Sequence, residues 1–230
     1  MTSGIWAVVP VKETEGAKQR LAAALSPAQR RALALAMLED LLAALAEVPR
    51  LAGLALVTID PAAIALAKQY GAECWADGAR DGHTGAVTAA GRRLAKAGAA
   101  GMLTLPGDIP LVTAAEIAQL LAAHRPAPAF TIAPSHDEHG SNAVLLSPPD
   151  AVPLRFGDDS FFPHLDAARQ CGIEPTVVRL PGIGMDIDHP ADLIAFARMM
   201  PVMRTRTLAF LQECGVVAGC ASLSRPTRAP

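Results

Sequence analysis

The stretch Met102-Leu-Thr-Leu-Pro-Gly-Asp-Ile-Pro-Leu-Val-Thr113 decides the fold class of this chain. Met102–Leu105 is an apolar run of strand length, too short for a buried helix. Pro106 and Gly107 end it, Asp108 sits on the turn, and Thr113 is placed to cap a helix reaching about His124. Strand, turn and helix in that order form half of a strand–helix–strand unit.

The same grammar repeats on both sides. Upstream, Ile5–Val11 reads as a buried strand. Ser26 then caps a long helix with Pro27 in its first position, which keeps one apolar face to about Val48 before Pro49. Leu54–Ile59 is a strand, Pro61–Tyr70 a helix closed by Gly71, Glu73–Ala76 a short strand, and Thr84–Ala97 a helix. Downstream, Phe130–Ala133, Ala143–Leu146 and Thr176–Arg179 read as strands, with helices near Ser160–Gln170 and Pro190–Met199. Strands alternating with helices of this length predict an α/β fold: a mostly parallel central sheet flanked by helices on both faces. One domain over residues 1–200 accounts for this pattern. Residues 201–230 read as a C-terminal extension in which Leu208–Leu211 adds a short helix and Gly215–Pro230, of weak periodicity, is expected to be loosely ordered.

Composition narrows the function. The chain has 230 residues, 51% of them apolar, and a formal net charge of −2, which excludes a broad basic nucleic-acid footprint. No run approaches the ~18–20 apolar residues of a membrane span. Met1–Val9 has no basic region ahead of its apolar residues and reads as a first strand rather than a signal peptide. Cys74, Cys171, Cys214 and Cys220 show no metal spacing and are expected to be reduced, in keeping with a cytoplasmic protein.

In open parallel sheets ligands bind beyond the carboxyl ends of the strands. That edge comprises Lys12–Arg20, Asp77–Gly85, Pro106–Pro110, Ser135–Ser141 and Asp186–Asp188, the segments rich in glycine, proline and charge. Asp108 there suits a hard cation such as Mg2+, or else caps the turn. Asp186 and Asp188 share one side of an extended segment. Asp186 is the better metal partner for Asp108, and Asp188 the better cap or support for the helix beginning at Pro190. Lys12, Lys18 and Arg20, spread around Gly16, can hold a polyphosphate. Ser141 and Asn142, with Gly157 and Ser160, offer neutral ligands for a phosphate or carboxylate. His136-Asp-Glu-His139 lies in a loop, where its spacing carries no helical meaning, and reads as surface. Neither the GxxxxGK[ST] loop nor GxGxxG is present, which disfavours a dinucleotide-dependent dehydrogenase. No Ser/His/Asp or Cys/His arrangement stands out.

Seven strings in order carry a family resemblance: Val9-Pro-Val-Lys12, Ala17-Lys-Gln-Arg-Leu21, Leu25-Ser-Pro-Ala-Gln-Arg-Arg-Ala-Leu-Ala-Leu-Ala-Met-Leu-Glu-Asp40, Pro106-Gly-Asp-Ile-Pro-Leu111, Gly140-Ser-Asn-Ala143, Phe156-Gly157 with Ser160-Phe161, and Met185-Asp-Ile-Asp188. Together they resemble the 2-phospho-L-lactate or phosphoenolpyruvate guanylyltransferases of deazaflavin coenzyme F-420 biosynthesis, from about Ile5 to Arg198. The resemblance implies a glycosyltransferase-A-like, Rossmann-like nucleotidyltransferase. It would join GMP from GTP to 2-phospho-L-lactate, phosphoenolpyruvate or 3-phosphoglycerate and release pyrophosphate. It further implies Mg2+ on Asp108 with Asp186 or Asp188, and GTP phosphates on Lys12, Lys18 and Arg20. Nucleotide would lie along Pro10, Val11, Gly82, His83, Gly85, Pro106 and Gly107, and the acceptor against Ser141, Asn142, Gly157 and Ser160. Partners are then GTP and a small phosphorylated acid, with no nucleic acid or membrane, and a homodimer is expected. Where the family carries a Gly-Leu-Asn stretch, this chain has Asp81-Gly-His-Thr-Gly-Ala86, so His83-Thr84 bears on nucleobase choice. Nucleotidyltransferases for molybdopterin or sugar and polyol phosphates are alternatives, but their Leu-Ala-Gly-Gly loop is absent. An inactive nucleotide-binding paralogue is another.

Overall fold

The structure, a computed structural model, describes residues 3–198 and 204–216. Its strands are β1 (Ile5–Pro10), β2 (Leu51–Val57), β3 (Glu73–Trp75), β4 (Gly101–Thr104), β5 (Ala129–Pro134), β6 (Ser141–Ser147) and β7 (Thr176–Val177). Its helices are α1 (Pro27–Ala46), α2 (Pro61–Gln69), α3 (Gly82–Lys96), α4 (Ala114–Ala123), α5 (Phe161–Gln170), α6 (Pro190–Arg198) and α7 (Arg206–Glu213). All seven strands join one sheet in the order β3-β2-β1-β4-β6-β5-β7. The expected mostly parallel sheet flanked by helices is what the chain forms. β1, β2, β3 and β4 run parallel, while β6 is antiparallel to both of its neighbours, β4 and β5. That reversal matters for function. It brings the start of β6, rather than its end, to the edge where β1 and β4 finish.

Alternation along β1 builds two cores. Ala7 and Val9 are buried on one face with Leu38, Leu41 and Leu42 of α1 and Ile117 of α4. Trp6 and Val8 are buried on the other with Val87 and Leu94 of α3 and Phe161 and Leu165 of α5. Successive strand side chains point to opposite faces, so a strand apolar throughout needs helices on both sides. Truncating a fully buried leucine such as Leu41 in such a core costs roughly 2–5 kcal/mol.

Helix α1 starts where the sequence predicts. The Ser26 side chain accepts from Gln29 N–H, the Gln29 side chain accepts from Ser26 N–H, and Pro27 occupies the first turn. It stops at Ala46, two residues before the expected Val48. Strand β2 begins at Leu51 rather than Leu54, extended by pairing with β1, and α3 begins at Gly82 rather than Thr84. The last helix is longer than Leu208–Leu211 and packs on α1. The Asp40 carboxylate accepts from the N–H groups of Arg206 and Thr207, and Leu208 and Leu211 join Leu33, Met37 and Phe196 in a third apolar cluster. Residues 217–230 and Met199 lie outside the described residues. Cys74, Cys171 and Cys214 are free thiols. No described helix is long and apolar enough to cross a membrane.

Candidate functional site

Beyond β1 the chain enters a loop pinned from below. Asp60, the cap of α2, accepts through one oxygen from Ala62 and Ala63 N–H, and through the other from the N–H and hydroxyl of Thr14 at 2.7 Å. Burial alone would raise its pKa, but these hydrogen bonds win and hold it below the usual carboxylate value. With its foot fixed, the loop makes two short 3-10 turns, Thr14–Gly16 and Gln19–Leu21, with Lys18 between them at φ 53° and ψ 44°. A side chain in the left-handed region costs roughly 1–2 kcal/mol. Strain of this kind is tolerated where the surroundings enforce it.

The surroundings do enforce it. The Lys18 ammonium lies 2.6 Å from Asp108 Oδ2 and 2.6 Å from Asp188 Oδ1. Its burial favours the neutral amine, but the two carboxylates outweigh that and raise its pKa. Asp188 is correspondingly held low: burial opposes its charge, and Lys18 and Arg20 more than restore it. The expected role of Asp188 as a helix cap is corrected here. Its carboxylate faces Lys18 and Arg20, while Asp192 accepts from the N–H groups of Asp188 and His189 at the head of α6. Sequence alone could not choose between two aspartates four residues apart.

Asp186 sits deeper. Burial raises its pKa, and the nearby charges of Asp108 and Asp188 add to the rise. The Asn142 amide donates to Asp186 Oδ1 (3.1 Å) and to Ile183 carbonyl oxygen (3.0 Å). Asn142, expected at the acceptor, therefore has its donors engaged in holding Asp186. The three carboxylates supply only hard oxygen donors, and an ammonium already stands between two of them as a stand-in cation. Such a set suits Mg2+, which takes one or two carboxylates and fills its remaining positions with water and phosphate. Among the described residues, no group of three or more His, Cys, Asp or Glu side chains forms a ready metal cage.

Two cavities open at this edge. One, of about 450 Å³, is lined by Pro10, Val11, Lys18 and Gly107, with Met37 and Leu38 of α1 contributing apolar wall. The other, of about 840 Å³, is lined by Ser141, Asn142, Gly157, Ser160 and Asp186. Lys12, Arg20, Gly82, His83, Pro106, Asp108 and Asp188 line both, and so form the wall between them. Every residue singled out from the sequence lines one cavity or the other except Gly85. Gly85 is pressed against the Asp81 side chain in the first turns of α3, a close approach that no Cβ permits. Gly82 does have a conformational reason to be glycine, with φ +73° at the head of the same helix. Lys12 is exposed and makes no ion pair among the described residues, whereas Arg20 reaches Asp158 and Asp188.

On its β6 and α5 side the second cavity is built from neutral groups. Ser160 Oγ lies 3.1 Å from Ser141 Oγ, which lies 2.9 Å from His164 Nδ1. His164 is buried, and its ring meets Phe156 edge-on at 5.0 Å. Phe156 in turn stacks on His83 at 4.1 Å. Burial pushes both histidines down to about 4, so both are neutral near pH 7. For His83, Lys12 adds to the effect and Asp108 opposes it. The Thr84 hydroxyl accepts from Phe156 N–H at 3.0 Å and ties α3 to this loop. His164 was not among the sequence expectations. Its only signal was the spacing Ser160 to His164, one helical turn, on the first turn of α5. His136 and His139, read as surface, line the rim of this cavity.

Comparison with known proteins gives the chain its family. The family model described as guanylyl transferase CofC like matches residues 5–226. A phosphoenolpyruvate guanylyltransferase of Rubrobacter xylanophilus is 40% identical over 82% of this chain and 91% of its own. A 3-phospho-D-glycerate guanylyltransferase of Colwellia psychrerythraea is 34% identical over 81% and 88%. Among solved structures, a candidate nucleotide-diphospho-sugar transferase from Desulfovibrio desulfuricans G20 superposes with a TM-score of 0.75 at 19% identity, covering 94% of this chain and 97% of that one.

Proposed function

Because the chain belongs to the CofC-like guanylyl transferase family, and is thus a nucleotidyltransferase, we propose that it transfers GMP from GTP to a phosphorylated three-carbon acid and releases pyrophosphate. Phosphoenolpyruvate and 3-phosphoglycerate are the first acceptors to consider, because relatives are named for them. 2-Phospho-L-lactate is the third. The product is the activated acid that the sequence resemblance links to coenzyme F-420 synthesis. One observation carries the reading: a cation-lined cavity and a hydroxyl-lined cavity meet at a shared wall of Lys12, His83, Asp108 and Asp188.

The chemistry asks little else of the protein. An acceptor phosphate is ionised near neutral pH, so its oxygen attacks the α-phosphorus of GTP without a general base. A phosphorus–oxygen bond forms as the bond to the β-phosphate breaks, and pyrophosphate leaves with the electron pair. The barrier lies in bringing anions together and in charge on the departing group, which positioning and fixed cations lower. Lys12, Lys18 and Arg20 hold the nucleotide phosphates, and the Ser141–Ser160 pair holds the acceptor. Mg2+, held by Asp108 with Asp188 or Asp186, would neutralise charge at the reacting phosphates. His83, with its buried Nε2 lacking a partner among the described residues, faces both substrates from the wall.

The test is a matrix of GTP, ATP, CTP and UTP against the three acids with Mg2+, read by pyrophosphate release and product mass. Release with GTP and one acid, giving a guanylylated diphosphate, is expected. Release with another nucleotide would overturn guanylyl transfer, and silence throughout would overturn transfer to this class of acid.

A further inference from the structure

The hydroxyl-lined cavity depends on a residue that does not touch its contents. His164 Nε2 lies 2.9 Å from the backbone nitrogen of Arg155, and an amide can only donate. Nε2 is therefore the acceptor. The ring is neutral, so its single proton is on Nδ1 and is donated to Ser141 Oγ. Proton counting then decides what the cavity sees. Ser141 and Ser160 own two hydroxyl protons, one of which makes the bond between them. Neither is spent on the imidazole. The pair is left with one proton, in either orientation of the inter-serine bond, and an anion in the cavity is what it can be given to. With the other tautomer, Nδ1 would absorb the Ser141 proton instead.

We infer that His164 is a positioning residue: it donates to Ser141 and so keeps a hydroxyl proton of the Ser141–Ser160 pair directed at the anionic group of the acceptor. This rests on the reading that these serines hold the acceptor. The anchor at Arg155 N–H fixes the tautomer from outside the cavity, and the Phe156 ring, edge-on to His164, limits its rotation.

Two variants separate the donor from the anchor. In His164→Asn the amide nitrogen takes the place of Nδ1 and can still donate to Ser141, while Arg155 N–H loses its partner. In His164→Gln the amide oxygen takes the place of Nε2 and keeps Arg155, while Ser141 loses its donor. His164→Gln is expected to raise the acceptor KM about tenfold, the net worth of one fixed hydrogen bond, and to leave the GTP KM unchanged. His164→Asn is expected to keep the acceptor KM within about threefold of wild type despite a lower Tm. The double variant Ser141→Ala/His164→Gln should be no worse than Ser141→Ala alone. The reverse order of the two His164 variants, or equal rises in both KM values, would overturn the positioning role. Should His164→Gln fail to fold, His164→Asn decides, a tenfold rise in acceptor KM overturning the role. An unchanged acceptor KM in Ser141→Ala would instead sink the acceptor reading itself. A raised one beside an unaffected His164→Gln would sink only the inference about His164.

Discussion

The two sides of the site differ in what they offer an anion. On the β1 and β4 side stand formal charges: Lys18 between Asp108 and Asp188, Arg20 beside them, and Lys12 exposed at the wall. On the β6 and α5 side stand hydroxyls and a neutral imidazole joined by hydrogen bonds. Charges that await a polyphosphate must be balanced when it is away, and Lys18 is held at a strained backbone angle doing so. Hydroxyls carry no formal charge and need no such balance. On the proposed function, the charged side governs rate and the neutral side governs which acid fits.

Substitutions should reveal this asymmetry. Asp108→Asn keeps the shape and removes the charge, and turnover is expected to fall at least about 100-fold with Tm nearly unchanged. A loss under about threefold would break the contrast between the sides. Lys18→Met is expected to cost on the order of tenfold in turnover, as loss of a charge-assisted contact does. It should also lower the half-saturating Mg2+ concentration, since the ammonium no longer occupies the space between Asp108 and Asp188. A higher Mg2+ requirement would contradict the stand-in role.

The neutral side predicts a pH effect. His83 and His164 titrate at about 4 in the folded chain, below the value of 6.5 they recover on unfolding. The unfolded chain thus binds more protons between those values. Stability is full above about pH 6.5 and lost as pH falls toward 4. Melting from pH 7 to 5 should lower Tm by several degrees, and less in His164→Asn, which has one such group fewer. A flat Tm over that range would show that the imidazoles are not held neutral. The smallest effect is at the strap between the sides. Thr84→Val removes the acceptor for Phe156 N–H and should cost about 1 kcal/mol, or ~2–4 °C in Tm.

How much of this the sequence disclosed follows the range of the interactions. Local signals were legible: the Ser26-Pro27 helix start, the apolar β1, and the turn that presents Asp108. The direction of β6 was not, because a short apolar run carries no polarity and the connection before it is brief. Lys18 and Asp188 lie 170 positions apart, and nothing local to either announces the pair. Asn142 read as a ligand because an amide beside a serine suits an anion, yet tertiary contact turns it to Asp186. His164 escaped notice because a histidine on a helix is usually ordinary, and only the cavity beside Ser141 gives it a meaning. Docking of α7 likewise depends on Asp40, a carboxylate in the middle of α1 with no sequence sign of its partner.

The most direct test of the division is calorimetric. GTP and the preferred phospho-acid would each be titrated into the wild-type protein with and without Mg2+. If the charged cavity takes the nucleotide and the hydroxyl cavity the acid, Mg2+ tightens GTP binding at least about tenfold and leaves the acid within about twofold. Equal dependence of both ligands on Mg2+, or none for GTP, would contradict it.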